Sequence, residues 1–251
     1  MDYDYLPDTY WRSQVDRIKE TLQKIADREG AVSTGRQIPE DDSLGIGTGK
    51  RLQMAILFLD ICDFSSWPSE EAEEQTLILN AFTLLFTELI RIAEDYGGVV
   101  EKNTGDGLMV YFDDGGGEPP ESGSKRAVAA ALTMFFTTYN AINPIIQQAG
   151  VSPIQFRIGI DHGTVTIAEV GAARRFHSMV AIGTTANVAS KILDVTGPNE
   201  LVIGDQVRVN LPTSWQTQFT QIHILQSGWV YKKSGHYYPF HKYTGRWKER
   251  L

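Results

Sequence analysis

The sequence predicts an α/β fold, an α+β sandwich in which helices cover a central sheet. Met54–Leu59 is a continuous apolar run that ends in Asp60, as expected of a central strand covered on both faces. Ile154–Ile160 alternates between large apolar residues and others, which is the period of a strand, and it places Arg157 opposite the isoleucines. Helix-length segments separate the predicted strands, which is typical of a layered α/β domain.

Composition narrows the class of protein. The chain has 251 residues, and 23 Lys and Arg against 31 Asp and Glu give a net charge of −8. An acidic balance argues against a protein that holds nucleic acid by its phosphates, although a few local cations could still hold a small phosphorylated ligand. The single cysteine, Cys62, excludes an internal disulfide framework and a cysteine-based zinc site. Without a secretory leader or an apolar run of about 20 residues, we expect a cytoplasmic protein with no membrane contact.

Three segments are predicted along the chain. Residues 1–29 form an N-terminal helical extension, because apolar side chains recur there every three or four positions. Residues 30–50 are interpreted as a linker, and residues 51–251 as one folded domain. The Gly45–Lys50 string resembles a phosphate-binding loop, but Arg51 replaces the required Ser or Thr and the string precedes a strand.

Each further element of the domain has a local signal. Glutamates after Ser69 open a helix that should run to about Tyr96, where two glycines end it. The remaining predictions are a hairpin of Val99–Asn103 and Leu108–Phe112, an exposed loop from Asp113 to Ser124, a helix from about Lys125 that Asn143-Pro144 kinks or ends, a helix over Ala186–Val195, and short strands to about Tyr243.

Asp60 and Asp106 are candidate metal ligands. Asp60 ends an apolar strand and Asp106 lies in the turn of the predicted hairpin. Because adjacent strands lie about 4.8 Å apart, these carboxylates could share a pair of hard cations such as Mg²⁺ or Mn²⁺. The alternative is that both cap backbone amides, as turn aspartates often do.

Asn187 and Lys191 lie four residues apart, on one face of the predicted last helix. An amide and a cation side by side suit a sugar oxygen and a phosphate. A solvated helix face is the alternative interpretation of this pair.

Four motifs together resemble the class III nucleotidyl cyclase catalytic domain, in the order and spacing of that family. The motifs are Phe58–Ser65, Glu101–Asp106, Phe156–Gly163 and Ala181–Lys191, and the resemblance covers about residues 51–245. It implies a ferredoxin-like domain with a mainly antiparallel sheet flanked by helices. It also implies a homodimer with composite active sites that use two divalent cations, Mn²⁺ or Mg²⁺.

The resemblance assigns a role to individual positions. Asp60 and Asp106 match the metal-binding aspartates, and Ile61 matches the residue whose carbonyl completes one metal's coordination. The triphosphate is held by the turn at Phe64 and Ser65 and by Arg157. The partner subunit contributes Asn187, which orients the ribose, and Lys191, which stands where the family has a transition-state arginine. Lys232 or Lys233 matches a late phosphate-binding lysine.

The positions that match the base pocket depart from the purine cyclases. Lys102 matches a base-contacting lysine of adenylyl cyclases, but Val180 replaces the partner that accepts from the adenine amino group. Guanylyl cyclases carry a glutamate at the position of Lys102. In this respect, and in the expectation that no sensor domain is attached, the chain is similar to stand-alone bacterial pyrimidine cyclases of anti-phage defence. The resemblance therefore favours UTP as substrate, a role in antiviral defence and a downstream cyclic-nucleotide effector. Adenylate or cytidylate cyclisation, or binding without turnover, are the alternatives.

Overall fold

The computed structural model describes residues 32–34, 48–64, 67, 70–103, 105–115, 122–173, 176–221, 229–231 and 234–247. Its strands are β1 (Val32–Thr34), β2 (Gly49–Ile61), β3 (Val99–Asn103), β4 (Gly107–Asp113), β5 (Phe156–Ala173), β6 (Phe176–Ile182), β7 (Leu201–Gly204), β8 (Phe219–Gln221) and β9 (Phe240–Tyr243). Its α-helices are α1 (Ala72–Asp95), α2 (Gly123–Thr137), α3 (Asn143–Gln148), α4 (Thr184–Ile192) and α5 (Asp205–Val209).

The described strands form one sheet in the order β3-β4-β2-β5-β7-β9-β8, with β1 beside β2 and β6 beside β5. Its pairs are antiparallel except β1–β2 and β5–β7. The segment from β2 to β5 runs β2-α1-β3-β4-α2-β5, and its strands lie in the order β3-β4-β2-β5. This is a ferredoxin-like arrangement, and the predicted fold class is confirmed.

Each face of the sheet has its own apolar core. On one face, α1 and α2 pack with β2, β4 and β5 in a cluster that includes Leu57, Leu89 and Val110. The opposite face is covered by α4, whose Ala186 and Ala189 lie with Met54 and Tyr111. Successive residues of one strand therefore pack into cores on opposite faces of the sheet.

Local sequence signals explain the ends of α1. Glu71 and Glu74 form a reciprocal capping box at its start. Beyond Tyr96, the chain turns at Gly97 with φ +70°, a conformation that favours glycine. The prediction of a helix from the glutamates to about Tyr96 is confirmed.

Several elements differ from the sequence prediction. β5 continues to Ala173, well beyond Ile160, and pairs with β6 along its second half. Thr138–Ile142 forms a π-helical segment, so the chain remains helical across Asn143 and Pro144. The stretch interpreted as a linker contains β1, whose parallel partner is the start of β2.

α1 is long and apolar enough, by length and composition alone, to cross a membrane. The sequence analysis expected no such segment. Buried residues along the helix, among them Leu85, Leu89 and Ile92, pack into the core beside α2. A core helix of a folded domain has these same properties.

Candidate active site

Three strand ends meet at one edge of the sheet. Register places Asp60, near the end of β2, between Gly107 at the start of β4 and Arg157 near the start of β5. The backbone N–H of Ile61 donates to the carbonyl of Asp106 over 2.8 Å. Asp60, Ile61, Asp106 and Arg157 are thus brought together, as their roles in the sequence analysis require.

Arg157 pairs directly with Asp60. Its Nε and Nη2 donate to the same oxygen, Oδ2, at 2.9 and 2.7 Å. The side chains are 35 % and 25 % exposed, so the pair is open to a ligand from solvent.

The carboxylates suit a metal that is bound together with its substrate. Within the described parts of the chain, no three His, Cys, Asp or Glu side chains are grouped so that they alone could hold an ion. Mg²⁺ commonly uses one or two carboxylates and completes its coordination with water and substrate phosphates. Asp60, Asp106 and the Ile61 carbonyl fit this mode of binding.

The turn that follows β2 is held by an aromatic cluster. The Phe64 ring contacts the rings of Trp67 and Phe82 at centroid distances of 5.9 and 4.9 Å. The backbone N–H of Trp67 donates to the Phe64 carbonyl. Asp63 is exposed with φ 56°, a left-handed conformation that Asp tolerates better than most residues. Burial raises the pKa of the neighbouring Cys62 thiol, which favours its protonated form.

Asn187 and Lys191 face outward from α4. The opposite side of the helix is buried, and its backbone packs so closely over Gly159 that a Cβ there would lie 2.8 Å from the Ala189 carbonyl. Lys191 is 59 % exposed and reaches Asp194 over 3.3 Å, a surface pair of small energetic value. Neither side chain is directed into the core of its own subunit.

Sequence reasoning missed one contact beside the positions that match the base pocket. The Tyr111 hydroxyl, on β4, donates to the Glu101 carboxylate on β3, and the backbone of Ala181 on β6 lies close to the same hydroxyl. A register shift between Val100 and Lys102 marks a β-bulge at Glu101. Burial, and then the Glu101 carboxylate, hold the pKa of Tyr111 well above its usual range, so the hydroxyl remains a donor. The sequence gives no signal for this bulge.

Other predicted positions lie outside the described residues. They are the helix within residues 1–29, Ser65, the side chain of Lys102, Lys232 and Lys233. Val180 is described; it is half-buried on β6, with Ala168 as its partner in the sheet.

Known proteins with similar sequences or folds indicate the family of this chain. The family model described as "Adenylate and Guanylate cyclase catalytic domain" matches residues 49–234. An adenylate cyclase from Anabaena cylindrica is 31 % identical over 198 residues, which are 74 % of this chain and 37 % of that protein. This chain therefore spans well under half the length of that relative.

Two solved structures from Pseudomonas aeruginosa share the fold. The adenylyl cyclase CyaB has a TM-score of 0.65 at 21 % identity, over 81 % of this chain and 99 % of that one. A class III adenylyl cyclase-like ATP-binding protein has a TM-score of 0.66 at 20 % identity, over 81 % of this chain and 45 % of that one. With the family model matching most of the chain, this chain belongs to the adenylate and guanylate cyclase catalytic domain family.

Proposed function

We propose that this chain is a metal-dependent nucleotidyl cyclase that converts a pyrimidine nucleoside triphosphate, UTP, to its 3′,5′-cyclic monophosphate and pyrophosphate. The observation that carries the proposal is the meeting of Asp60, Asp106 and Arg157 at one edge of the sheet. Two carboxylates and a guanidinium there suit a ligand that combines metal ions with a triphosphate. Family membership supplies the reaction class.

The chemistry is phosphoryl transfer. The ribose 3′-oxygen forms a bond to the α-phosphorus, the bond to the β,γ-pyrophosphate breaks, and the hydroxyl proton passes to solvent. Divalent cations, when bound, lower the pKa of the attacking hydroxyl and neutralise the leaving phosphates. Asp60, Asp106 and the Ile61 carbonyl would hold them. Arg157 and the turn at Phe64 and Ser65 would bind the phosphates, so these residues contribute positioning and charge.

The active site is proposed to be shared between two subunits. Asn187 and Lys191 are exposed and lie on the side of α4 that faces away from their own sheet. In a two-fold dimer, that surface of one subunit can complete the site of the other. Asn187 would orient the ribose, and Lys191 would stabilise charge on the reacting phosphate, with Lys232 or Lys233 on the terminal phosphates.

The base assignment depends on Lys102 and Val180. An apolar valine offers no acceptor to the amino group of adenine, and an unpaired polar group in a pocket is costly. Lys102 can donate to a carbonyl of uracil, whereas the amino group of cytosine suits it less well. UTP is therefore favoured over CTP and ATP.

Two other activities are the alternatives. The curated relative from Anabaena cylindrica is an adenylate cyclase, which favours ATP as the second candidate substrate. A degenerate cyclase domain that binds a nucleotide without turnover is the other alternative. Antiviral signalling through a downstream cyclic-nucleotide effector, in the cytoplasm, completes the proposal as its biological role.

A competition assay tests the substrate. The purified full chain is incubated with Mn²⁺ and an equimolar mixture of UTP, CTP, ATP and GTP, and the cyclic products are quantified by mass spectrometry. We expect cyclic UMP to be the main product. Cyclic AMP as the main product would overturn the base assignment while leaving the cyclase assignment intact.

A further inference from the structure

The contact between Glu101 and Tyr111 lies beside both positions proposed to read the base. Glu101 immediately precedes Lys102, and Ala181 immediately follows Val180. The Tyr111 hydroxyl donates to the Glu101 carboxylate, and the backbone of Ala181 lies close to it. One side chain therefore links the two strands that carry the proposed base-reading residues.

The β-bulge explains why a carboxylate is present at this place. In a regular strand, Glu101 and Lys102 would point to opposite faces. Here Lys102 has Met109 as its sheet partner, and Glu101, at the register shift, bonds to Tyr111. Met109 and Tyr111 belong to the same core cluster, beneath the face that α4 covers. Bulges beside active sites commonly redirect a side chain in this way.

The position along the sheet also fits a base. Tyr111 lies four residues beyond Gly107 on β4, and Gly107 is the partner of Asp60. At about 3.3 Å per residue, this places Tyr111 about 13 Å from the proposed metal site. A nucleotide whose phosphates lie at Asp60 can extend its base along β4 to this region.

We propose that Glu101 is a specificity-determining residue that accepts a hydrogen bond from an N–H on the pairing edge of the substrate base. Tyr111 is its positioning residue. The inference rests on the proposed function, under which the N–H is N3–H of uracil. A ring N–H at this position distinguishes uracil from adenine and cytosine, whose corresponding ring nitrogens carry no hydrogen and act as acceptors.

The test uses a substrate that lacks only this N–H. The full chain with Mn²⁺ is assayed for kcat/KM with UTP and with 3-methyl-UTP, and for inhibition by inorganic tripolyphosphate, which carries no base. The variants are Glu101→Ala, Glu101→Gln and Tyr111→Phe. Glu94→Ala, which removes an exposed carboxylate near the end of α1, is the matched control.

Wild type and the Glu94 variant should prefer UTP over 3-methyl-UTP by about 10- to 100-fold, as expected for one lost buried hydrogen bond. Glu101→Ala should reduce that preference to about threefold or less, with tripolyphosphate inhibition unchanged. Glu101→Gln retains a carbonyl acceptor and should keep part of the preference, and Tyr111→Phe should give an intermediate value. A Glu101→Ala variant that keeps the wild-type ratio would overturn the proposal.

A failure of the proposed function can be distinguished from a failure of the role proposed for Glu101. If wild type forms no cyclic product, the affinities of UTP and 3-methyl-UTP are compared by calorimetry with the same variants. If another nucleotide is preferred, the comparison uses that nucleotide and an analogue in which every hydrogen on the edge nitrogen is replaced by methyl. In either case, the preference for the unmethylated nucleotide should fall in Glu101→Ala. A preference equal to that of wild type contradicts the role proposed for Glu101.

Discussion

Arg157 donates two hydrogen bonds to one oxygen of Asp60, Oδ2, at 2.9 and 2.7 Å, across the paired strands β5 and β2. Under the proposed function, these residues bind opposite charges on one ligand, since Asp60 holds a cation and Arg157 a phosphate. In the absence of ligand, each side chain neutralises the other. When the metal and the nucleotide bind, the ion pair between Asp60 and Arg157 would be replaced by two others, Asp60 with the metal and Arg157 with a phosphate. The charges of both side chains would therefore be neutralised with and without the ligand.

Loss of the guanidinium should separate metal binding from nucleotide binding. In Arg157→Gln, Asp60 no longer has a competing cation, so Mn²⁺ should bind the nucleotide-free protein more tightly. Turnover should fall by about 10²- to 10³-fold, because a preorganised positive charge is lost. Mn²⁺ titration followed by electron paramagnetic resonance, together with steady-state kinetics, measures both effects. Weaker Mn²⁺ binding in the variant would count against competition for Asp60.

A mixture of two inactive variants tests the composite site. Under the proposed function, Asp106→Ala removes a metal ligand from one half of each site, and Lys191→Ala removes a cation from the other half. Random exchange of subunits leaves one intact site in half of the dimers, so about a quarter of wild-type activity should return. The measurement is product formation before and after mixing, with light scattering to verify the dimer. If the mixture stays as inactive as its components, the two residues act within one subunit.

The turn after β2 should tolerate only certain residues at position 63. Asp63 has φ 56°, where an ordinary side chain is strained and glycine is not. Because both substitutions remove the same carboxylate, we expect the free energy of unfolding of Asp63→Gly to be about 1 kcal/mol higher than that of Asp63→Ala. Urea denaturation of both variants checks this difference. Equal stabilities would show that the turn relaxes away from the left-handed conformation.

Asp161 should make stability depend on pH. This β5 carboxyl is 4 % exposed, Tyr238 donates to it over 2.6 Å, and burial raises its pKa to about 7, assisted by the charge of Asp205. Since an unfolded aspartate titrates near 3.9, the native state holds the extra proton between about pH 4 and pH 7. Its contribution to stability is therefore complete below about pH 4 and is lost as pH rises through about 7.

Asp161→Asn keeps an oxygen acceptor for Tyr238 and cannot ionise. Relative to wild type, its free energy of unfolding should gain on the order of a few kcal/mol between pH 4 and pH 8. Urea denaturation of both proteins across this range gives the difference. A constant difference at all pH values would mean that Asp161 is ionised throughout.

The sequence predicted those elements whose signals are local. The apolar run at Met54–Leu59, the alternation at Ile154–Ile160 and the glycines after Tyr96 each correspond to an observed strand or helix end. These signals depend on burial period and turn chemistry, which neighbouring residues determine. The first two of these patterns also place Asp60 at the end of one predicted strand and Arg157 within another.

Features that depend on tertiary packing could not be predicted. The length of β5 beyond Ile160 is set by its pairing with β6, and the bulge at Glu101 by its register against β4. The ion pair between Asp60 and Arg157 requires that these strands be neighbours, although the two residues lie 97 positions apart. Asn143-Pro144 predicted a break, but Pro144 lies in the first turn of α3, where its missing N–H is harmless.

One measurement tests the central claim most directly. The purified chain of 251 residues is incubated with UTP and Mn²⁺, and cyclic UMP and pyrophosphate are quantified together, with Asp60→Asn as the paired control. We predict that wild type forms the two products in equal amounts, whereas the folded control forms neither above background. Absence of a cyclic product from UTP, CTP, ATP and GTP with folded wild-type protein would contradict the cyclase assignment.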